Sequence, residues 1–156
     1  MDVSLINPFL TATLNIFESM FRITAQAGAP YLLAGETAHR WEISGILGVT
    51  GDYNGIIGLR LHRVLADKML LRSGIETSSE EERRDTVHGM IGEMTNIIAG
   101  NASSMIDQVK IEISPPVVIL GANHQIAWPK TIPVIGIPFS TPNGPFEVDV
   151  CFTKNN

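Results

Sequence analysis

Two segments of the chain each contain a pair of strand-like runs separated by a glycine-containing turn. The first pair flanks Gly51-Asp52, and the second flanks a turn that contains Pro142-Asn143-Gly144. The four runs are 41–50, 53–61, 132–139 and 146–152. Strand-forming residues on both sides of such turns predict antiparallel β-hairpins. A chain that contains two hairpins is expected to fold around a mainly antiparallel sheet.

Two further strand-like runs, 110–114 and 117–121, lie between the hairpins and are broken by Pro115-Pro116. Because proline cannot donate a hydrogen bond to a strand neighbour, these runs belong at a sheet edge or a bulge. They bring the predicted sheet to about six strands.

The two hairpins resemble each other in sequence. Ile46-Leu47-Gly48-Val49 precedes Gly55 much as Val134-Ile135-Gly136-Ile137 precedes Gly144. Short alternating strands with glycine turns often look alike, so the similarity fits either an internal duplication or chance.

Three amphipathic or capped segments predict helices. Their ranges are 7–21, 63–71 and about 80–108. Asn7 is expected to cap the first helix, with Pro8 at its first helical position. Ser73-Gly74 closes the second, and Ser78 or Ser79 is a good N-cap for the third. The predicted fold class is α+β with two layers, in which two hairpin units pack against about three helices.

Size and charge limit the classes of function. The chain has 156 residues, of which 44% are hydrophobic and 17% charged, which suits one packed domain over residues 1–156. Its net charge is -5, and the sequence has no cluster of basic residues. Nucleic-acid binding is led by Lys and Arg that face phosphates, so this partner is not expected.

The expected location is the cytoplasm, without contact with a membrane. The single cysteine, Cys151, cannot form an internal disulfide and lies in a strand-like run, where an ordinary buried thiol is the favoured interpretation over a nucleophile. The first residues lack the basic start and continuous apolar stretch of a signal peptide. No apolar run approaches the roughly 18 residues that a transmembrane helix needs.

The longest predicted helix has two different faces. Centred on Met94, the apolar face holds Val87, Met90, Ile91, Ile97, Ile98 and Met105, and is expected to pack on the core. The opposite face holds Gly89, Gly92, Asn96, Ala99, Gly100 and Ser103, with Glu93 on its flank.

The small residues on this second face predict a close approach by another backbone. Each glycine inside a helix costs roughly 1 kcal/mol relative to alanine, so a merely solvated face would carry other residues. The approach can come from within the protein or from a partner. An internal approach would bury Glu93 and Asn96 and require dedicated hydrogen-bond partners. An external approach would present both side chains together to the partner.

The helix also resembles a known family. The segment Ile91-Gly92-Glu93-Met94-Thr95-Asn96-Ile97-Ile98-Ala99-Gly100-Asn101-Ala102 is similar to the signature helix of the CheC, CheX and FliY phosphatases, whose core is Glu-x-x-Asn. Further similarity to CheX lies in Ile6-Asn7-Pro8-Phe9, in Gly48-Val49-Thr50-Gly51 with Gly55, and in Ile113-Ser114-Pro115-Pro116-Val117-Val118. CheC-type members usually carry two Glu-x-x-Asn pairs, whereas this sequence has one, which points to CheX.

The resemblance implies a function and assigns roles to the residues. The substrate would be the aspartyl phosphate of a CheY-like receiver domain in chemotaxis or another two-component circuit. Asn96 would orient the attacking water, and Glu93 would anchor the conserved lysine of the receiver. Gly89, Gly92, Ala99, Gly100 and Ser103 would contact the partner. A general-base role for Glu93 is disfavoured, because a carboxylate aimed at a phosphoryl group is repelled by it.

The resemblance further implies that the receiver brings its own Mg²⁺ and that this chain binds no cofactor or metal. In agreement, His39, His62, His88 and His124 are scattered without ligand spacing. CheX relatives are typically homodimers, so a homodimer is expected. The alternative function keeps the fold without the chemistry: a module that binds a receiver or a flagellar switch component.

Overall fold

The computed structural model describes residues 3–33 and 41–156, over which the chain forms three helices and eight strands. The elements in chain order are α1 (Val3–Phe21), β1 (Gln26–Ala27), β2 (Tyr31–Leu32), β3 (Ile43–Gly51), β4 (Tyr53–Leu61), α2 (Arg63–Ser73), α3 (Glu80–Ser104), β5 (Ile111–Ile113), β6 (Val117–Leu120), β7 (Ile135–Ser140) and β8 (Phe146–Lys154). The predicted α+β class and both hairpins are confirmed.

All eight strands of the described residues belong to one antiparallel sheet. Its order is β1-β7-β8-β4-β3-β5, and in addition β2 pairs with β7 and β6 pairs with β3. The two hairpins meet at its centre, where β4 pairs with β8 from Tyr53↔Lys154 to Leu61↔Phe146. β5 and β6 lie on one edge, as Pro115-Pro116 predicts. The sheet exceeds six strands because β1 and β2, of two exposed residues each, leave no sequence pattern.

The element order supports an internal duplication. The run α1-β1-β2-β3-β4 has the same order as α3-β5-β6-β7-β8, with α2 between them. In each half a helix is followed by two short strands and a hairpin. The short strands of each half pair with the hairpin of the other half, since β1 and β2 join β7 while β5 and β6 join β3.

The helices cover one face of the sheet and form the core with it. α1 and α3 contact each other, and α3 also contacts β3, β4, β5 and β6. The largest fully buried side chains of this core include Phe9, Phe17, Leu59, Leu61, Ile91 and Met94. Among the described residues, no helix is both long and apolar enough to cross a membrane.

α1 begins earlier than the sequence predicts. It starts at Val3, so Asn7 is a helical residue and not the N-cap, and Pro8 lies inside the helix. The additional turn buries Leu5 and Ile6, which are 8% and 7% exposed. Burial of two such side chains stabilises the fold by about 3 to 6 kcal/mol, which offsets the roughly 3 kcal/mol that an interior proline costs.

The other helix ends follow their caps. α2 ends before Gly74, whose φ of 76° is left-handed and whose N–H donates to Leu71 O. Ser79, one of the two predicted candidates, caps α3 by accepting from Glu82 N at 3.1 Å. α3 ends at Ser104 and not at 108, and the turn that follows it reaches a positive φ of 59° at Gln108.

Candidate functional site

α3 is buried over a wider and differently centred arc than its apolar residues predict. Its buried residues are Val87, Ile91, Gly92, Met94, Thr95, Ile98, Ala99 and Ala102. Two of the small members, Gly92 and Thr95, lie against the sheet, where they allow the helix to approach closely. Met90 and Ile97 are only partly buried. Met105 follows the end of the helix and is 42% exposed, so its predicted place on the core face is wrong.

Two residues of the predicted docking face are covered by the protein itself. Ala99 is fully buried, and Gly92 is buried beside β6 and the Pro115-Pro116 segment that precedes it. A Cβ added to Gly92 would lie 3.4 Å from Val118 Cγ2 and 3.6 Å from Pro116 Cγ. The expectation that Gly92 and Ala99 face a partner is therefore wrong, because the close approach at these positions is internal.

The remaining small residues border open space. Gly89 and Gly100 are exposed, and a Cβ added to either would have no heavy atom within 4 Å outside its own helix turn. Ser103 is half-buried, and its hydroxyl donates to Ala99 O at 2.6 Å. The exposed part of the face is thus narrower than predicted and is bounded by the two glycines.

Glu93 and Asn96 lie between those glycines on adjacent turns of α3, and both are exposed. Residues three apart on a helix are neighbours, so the carboxylate and the amide project from the same side. Within residues 3–33 and 41–156 neither side chain has a hydrogen-bond or ion-pair partner. An amide both donates and accepts hydrogen bonds, whereas a carboxylate accepts only. The pair is therefore available to a cationic group and a water molecule from outside.

The three histidines within the described residues do not converge. His62 Nδ1 lies 3.3 Å from Glu42 Oε1, and its ring stacks on Trp41. His124 bonds to Ser44 Oγ and to Gly121 O, and His88 is exposed. His39 lies outside the described residues. In the described part of the chain, no group of three His, Cys, Asp or Glu side chains is placed to hold a metal ion.

Cys151 is fully buried in β8, and burial raises the pKa of its thiol. A thiol is a nucleophile only as the thiolate. The structure thus agrees with a structural thiol.

A buried cluster of charges, which the sequence analysis missed, lies on the sheet face away from the helices. Arg60, Glu147 and Asp149 are 6%, 3% and 0% exposed, and Arg60 Nη1 lies 3.9 Å from Asp149 Oδ2. The Tyr31 hydroxyl donates to Glu147. A sequence signal for this cluster exists in β8, where the acidic residues Glu147 and Asp149 alternate with apolar core residues. Arg60 lies opposite Glu147 on the paired strand β4.

Burial governs the ionisation of this cluster. It raises the pKa of the Asp149 carboxyl well above its usual range, and the neighbouring Glu147 carboxyl adds to the effect while Arg60 opposes it. Burial and the bond to Glu147 likewise raise the pKa of Tyr31. Shifted ionisation can mark a catalytic site, but these carboxyls are closed off from solvent, so the cluster is a structural feature.

Comparison with known proteins identifies a family. The family model described as chemotaxis phosphatase CheX matches residues 43–140, which include Glu93 and Asn96. A CheC-like superfamily protein from Shewanella sp. PV-4 is 27% identical over 98% of this chain and 99% of its own, with a TM-score of 0.87. A chemotaxis protein CheX from Desulfovibrio desulfuricans is 29% identical over 96% and 99%, with a TM-score of 0.85.

A third structure is a CheX–CheY–BeF3–Mg²⁺ complex from Borrelia burgdorferi. It is 26% identical over 96% of this chain and 98% of its own, with a TM-score of 0.81. Among curated proteins no match was found. The family model covers more than half of the chain and includes the helix that carries the exposed pair. The chain belongs to the CheX family of chemotaxis phosphatases.

Proposed function

We propose that this chain is a hydrolase that removes the phosphoryl group from the aspartyl phosphate of a CheY-like response regulator. The observation that carries the proposal is the exposed pair Glu93 and Asn96, whose side chains have no partner in the described structure. The family model spans this helix, and a relative forms a complex with CheY. Membership of a phosphatase family and an open polar pair point to the same chemistry.

Asn96 supports hydrolysis by positioning. A water oxygen forms a bond to phosphorus while the bond to the aspartyl oxygen breaks, which yields inorganic phosphate and free aspartate. Phosphoryl transfer depends mainly on the in-line placement of the nucleophile and on charge stabilisation. A neutral amide that both donates and accepts hydrogen bonds orients the water without repelling the phosphoryl oxygens.

Glu93 supports docking. Its carboxylate would pair with a lysine of the receiver, and a charge-assisted contact of this kind fixes orientation. Gly89 and Gly100, which leave open space on either side of the pair, would let the receiver's backbone approach. Ser103 would lie at the rim of this contact. The receiver brings its own Mg²⁺, and this chain adds side chains to that metal-containing site.

We also propose a homodimer. The short strands β1, β2, β5 and β6 form the two edges of the sheet, and edges are commonly covered by pairing with a second copy. Light scattering at micromolar concentration tests this directly. A strictly monomeric mass would contradict it.

The test of the activity is the rate of phosphate loss from phosphorylated receivers, with the protein present at a concentration below that of the receiver. We expect acceleration over several turnovers, and we expect Asn96→Ala to bind the same receiver without accelerating the reaction. Binding without acceleration by the wild type would favour the alternative, a receiver-binding or flagellar-switch module. An unchanged rate in Asn96→Ala would refute the catalytic role of the amide.

A further inference from the structure

Gly45 lies buried in the interior of β3, directly beneath α3. Glycine in a strand interior gives up packing and conformational entropy, so the position requires an explanation. Its backbone supplies none, because Gly45 is not among the glycines with a positive φ. The explanation is steric, because α3 leaves no room for a side chain at position 45.

An alanine side chain at position 45 would collide with α3. Its Cβ would lie inside contact distance of Thr95 Oγ1, 3.3 Å from Thr95 Cβ and 3.1 Å from Ile91 Cγ2. The Thr95 hydroxyl has little freedom to move away, since it is 1% exposed and donates to Ile91 O at 2.7 Å. The missing side chain at Gly45 therefore sets how closely this turn of the helix approaches the sheet.

A second glycine makes the reverse contact on the same turn. Gly92 of α3 receives Val118 of β6, and Val118 is the residue that pairs with Gly45 across the sheet. One glycine on the strand thus accepts side chains of the helix, and one glycine on the helix accepts a side chain of the strand. Around the helix axis Asn96 lies about 40° and Glu93 about 100° from Gly92, on the exposed side of this turn.

We infer that Gly45 and Gly92 are positioning residues for the reaction under Proposed function, on which this inference rests. They fix the depth and rotation of the turn that carries Glu93 and Asn96, and hence the place of the Asn96 amide inside a docked receiver. Catalysis by positioning is sensitive to displacement, and a shift of about 1 Å can cost roughly 10²-fold in rate. Docking through the long Glu93 side chain tolerates the same shift better.

The experiment measures kcat and KM for receiver dephosphorylation at a temperature at which every variant is folded. We expect Gly45→Ala to lower kcat by about tenfold to a hundredfold while KM changes less than about threefold. The matched control is Gly48→Ala on the other face of the same strand, where the added Cβ would lie 3.4 Å from Ser114 Oγ and would not touch α3. The control should keep the wild-type kcat.

A rescue variant separates positioning from general damage. Thr95→Ala in the Gly45→Ala background removes the hydroxyl that blocks the new side chain, and we expect it to restore most of the lost kcat.

If Gly45→Ala does not fold, Gly92→Val displaces the same turn through Val118 and Pro116 and is judged by the same selective fall in kcat. A folded Gly45→Ala with wild-type kcat, or a double variant without recovery, would overturn the inference. A wild-type protein that accelerates no receiver would instead overturn the proposed function, and this inference with it.

Discussion

α1 and α3 begin the two halves of the molecule, and their comparison separates what the fold requires from what is added to it. Each helix has a buried threonine whose hydroxyl donates to the carbonyl four residues earlier, Thr13 to Phe9 O at 2.6 Å and Thr95 to Ile91 O at 2.7 Å. When these threonines are aligned, Glu93 corresponds to Thr11 and Asn96 to Leu14. At these two aligned positions the same scaffold therefore carries an acid and an amide on α3 and neither on α1.

The difference shows that packing does not demand Glu93 and Asn96. Thr11 is exposed like Glu93, but Leu14 is half-buried and packs on the core, so α1 turns its corresponding position inward. α1 also has no glycine, whereas α3 contains Gly89, Gly92 and Gly100. Gly89 and Gly100 weaken the helix and border open space, and Glu93 and Asn96 have no hydrogen-bond or ion-pair partner in the described structure. These features support the proposal that α3 carries the functional face.

Making α3 resemble α1 is expected to have the largest effect. Glu93→Thr combined with Asn96→Leu would remove both the anchor and the water-positioning amide. We expect kcat/KM for receiver dephosphorylation to fall by about 10³-fold or more, because each role contributes separately. Both positions are exposed, so thermal unfolding should change little. A double variant that keeps a tenth of the wild-type kcat/KM would contradict the claim that these two side chains distinguish α3 from α1.

Removal of the Glu93 charge alone should affect affinity. In Glu93→Gln one charge-assisted contact is lost, and we expect KM to rise about tenfold, which corresponds to about 1.4 kcal/mol, with kcat nearly unchanged. Salt should weaken the wild type more than the variant. The control is Glu76→Gln, an exposed acid before α3. A fall in kcat at constant KM would assign Glu93 to the chemistry instead of to docking.

Replacing either exposed glycine of α3 with alanine should stabilise the fold and weaken docking of the receiver. Gly89→Ala and Gly100→Ala should each raise the free energy of unfolding by about 0.5 to 1 kcal/mol, since an added Cβ contacts nothing outside its own helix turn. We expect KM for the receiver to rise severalfold in both. Ser19→Ala, at an exposed position of α1, should gain some stability without any change in KM. An unchanged KM in both variants would show that neither glycine belongs to the docking surface.

The buried carboxyls of the second half should affect folding and not the reaction. Because the pKa of Asp149 is raised, the folded protein keeps its proton above about pH 4, where the unfolded chain loses it. The free energy of unfolding should therefore fall as pH rises from about 4 towards the raised pKa. Asp149→Asn should flatten this dependence while leaving dephosphorylation intact. Denaturant titrations from pH 4 to 7 measure it, and equal slopes in both proteins would contradict the assignment.

Much of the fold was predictable from local signals. The turns at Gly51-Asp52 and Pro142-Asn143-Gly144, the cap at Ser79 and the end of α2 at Gly74 follow from residue preferences that act over a few positions. The errors arose where tertiary contacts decide. The start of α1 depends on the burial of Leu5 and Ile6, which outweighs the signal of Pro8, and no local pattern reports that balance.

The candidate site was predicted less completely for the same reason. Glu93 and Asn96 could be found because their spacing, with Gly100-Asn101, forms a motif. The helical pattern predicts an outer position for Gly92 and Ala99, although small residues serve equally to bring a helix onto a sheet. A helical wheel orders residues around an axis but does not reveal which small residues are covered, and only the contacts with Val118 and Pro116 decide it.

The most direct test of the central claim uses the two helices as each other's control. Asn96→Ala and Asn15→Ala each remove an exposed amide, one from α3 and one from α1. In a single measurement of phosphate loss from a phosphorylated CheY-like receiver, we predict that Asn96→Ala falls to the rate of the receiver alone while Asn15→Ala keeps the wild-type acceleration. Equal rates in the two variants would contradict the account.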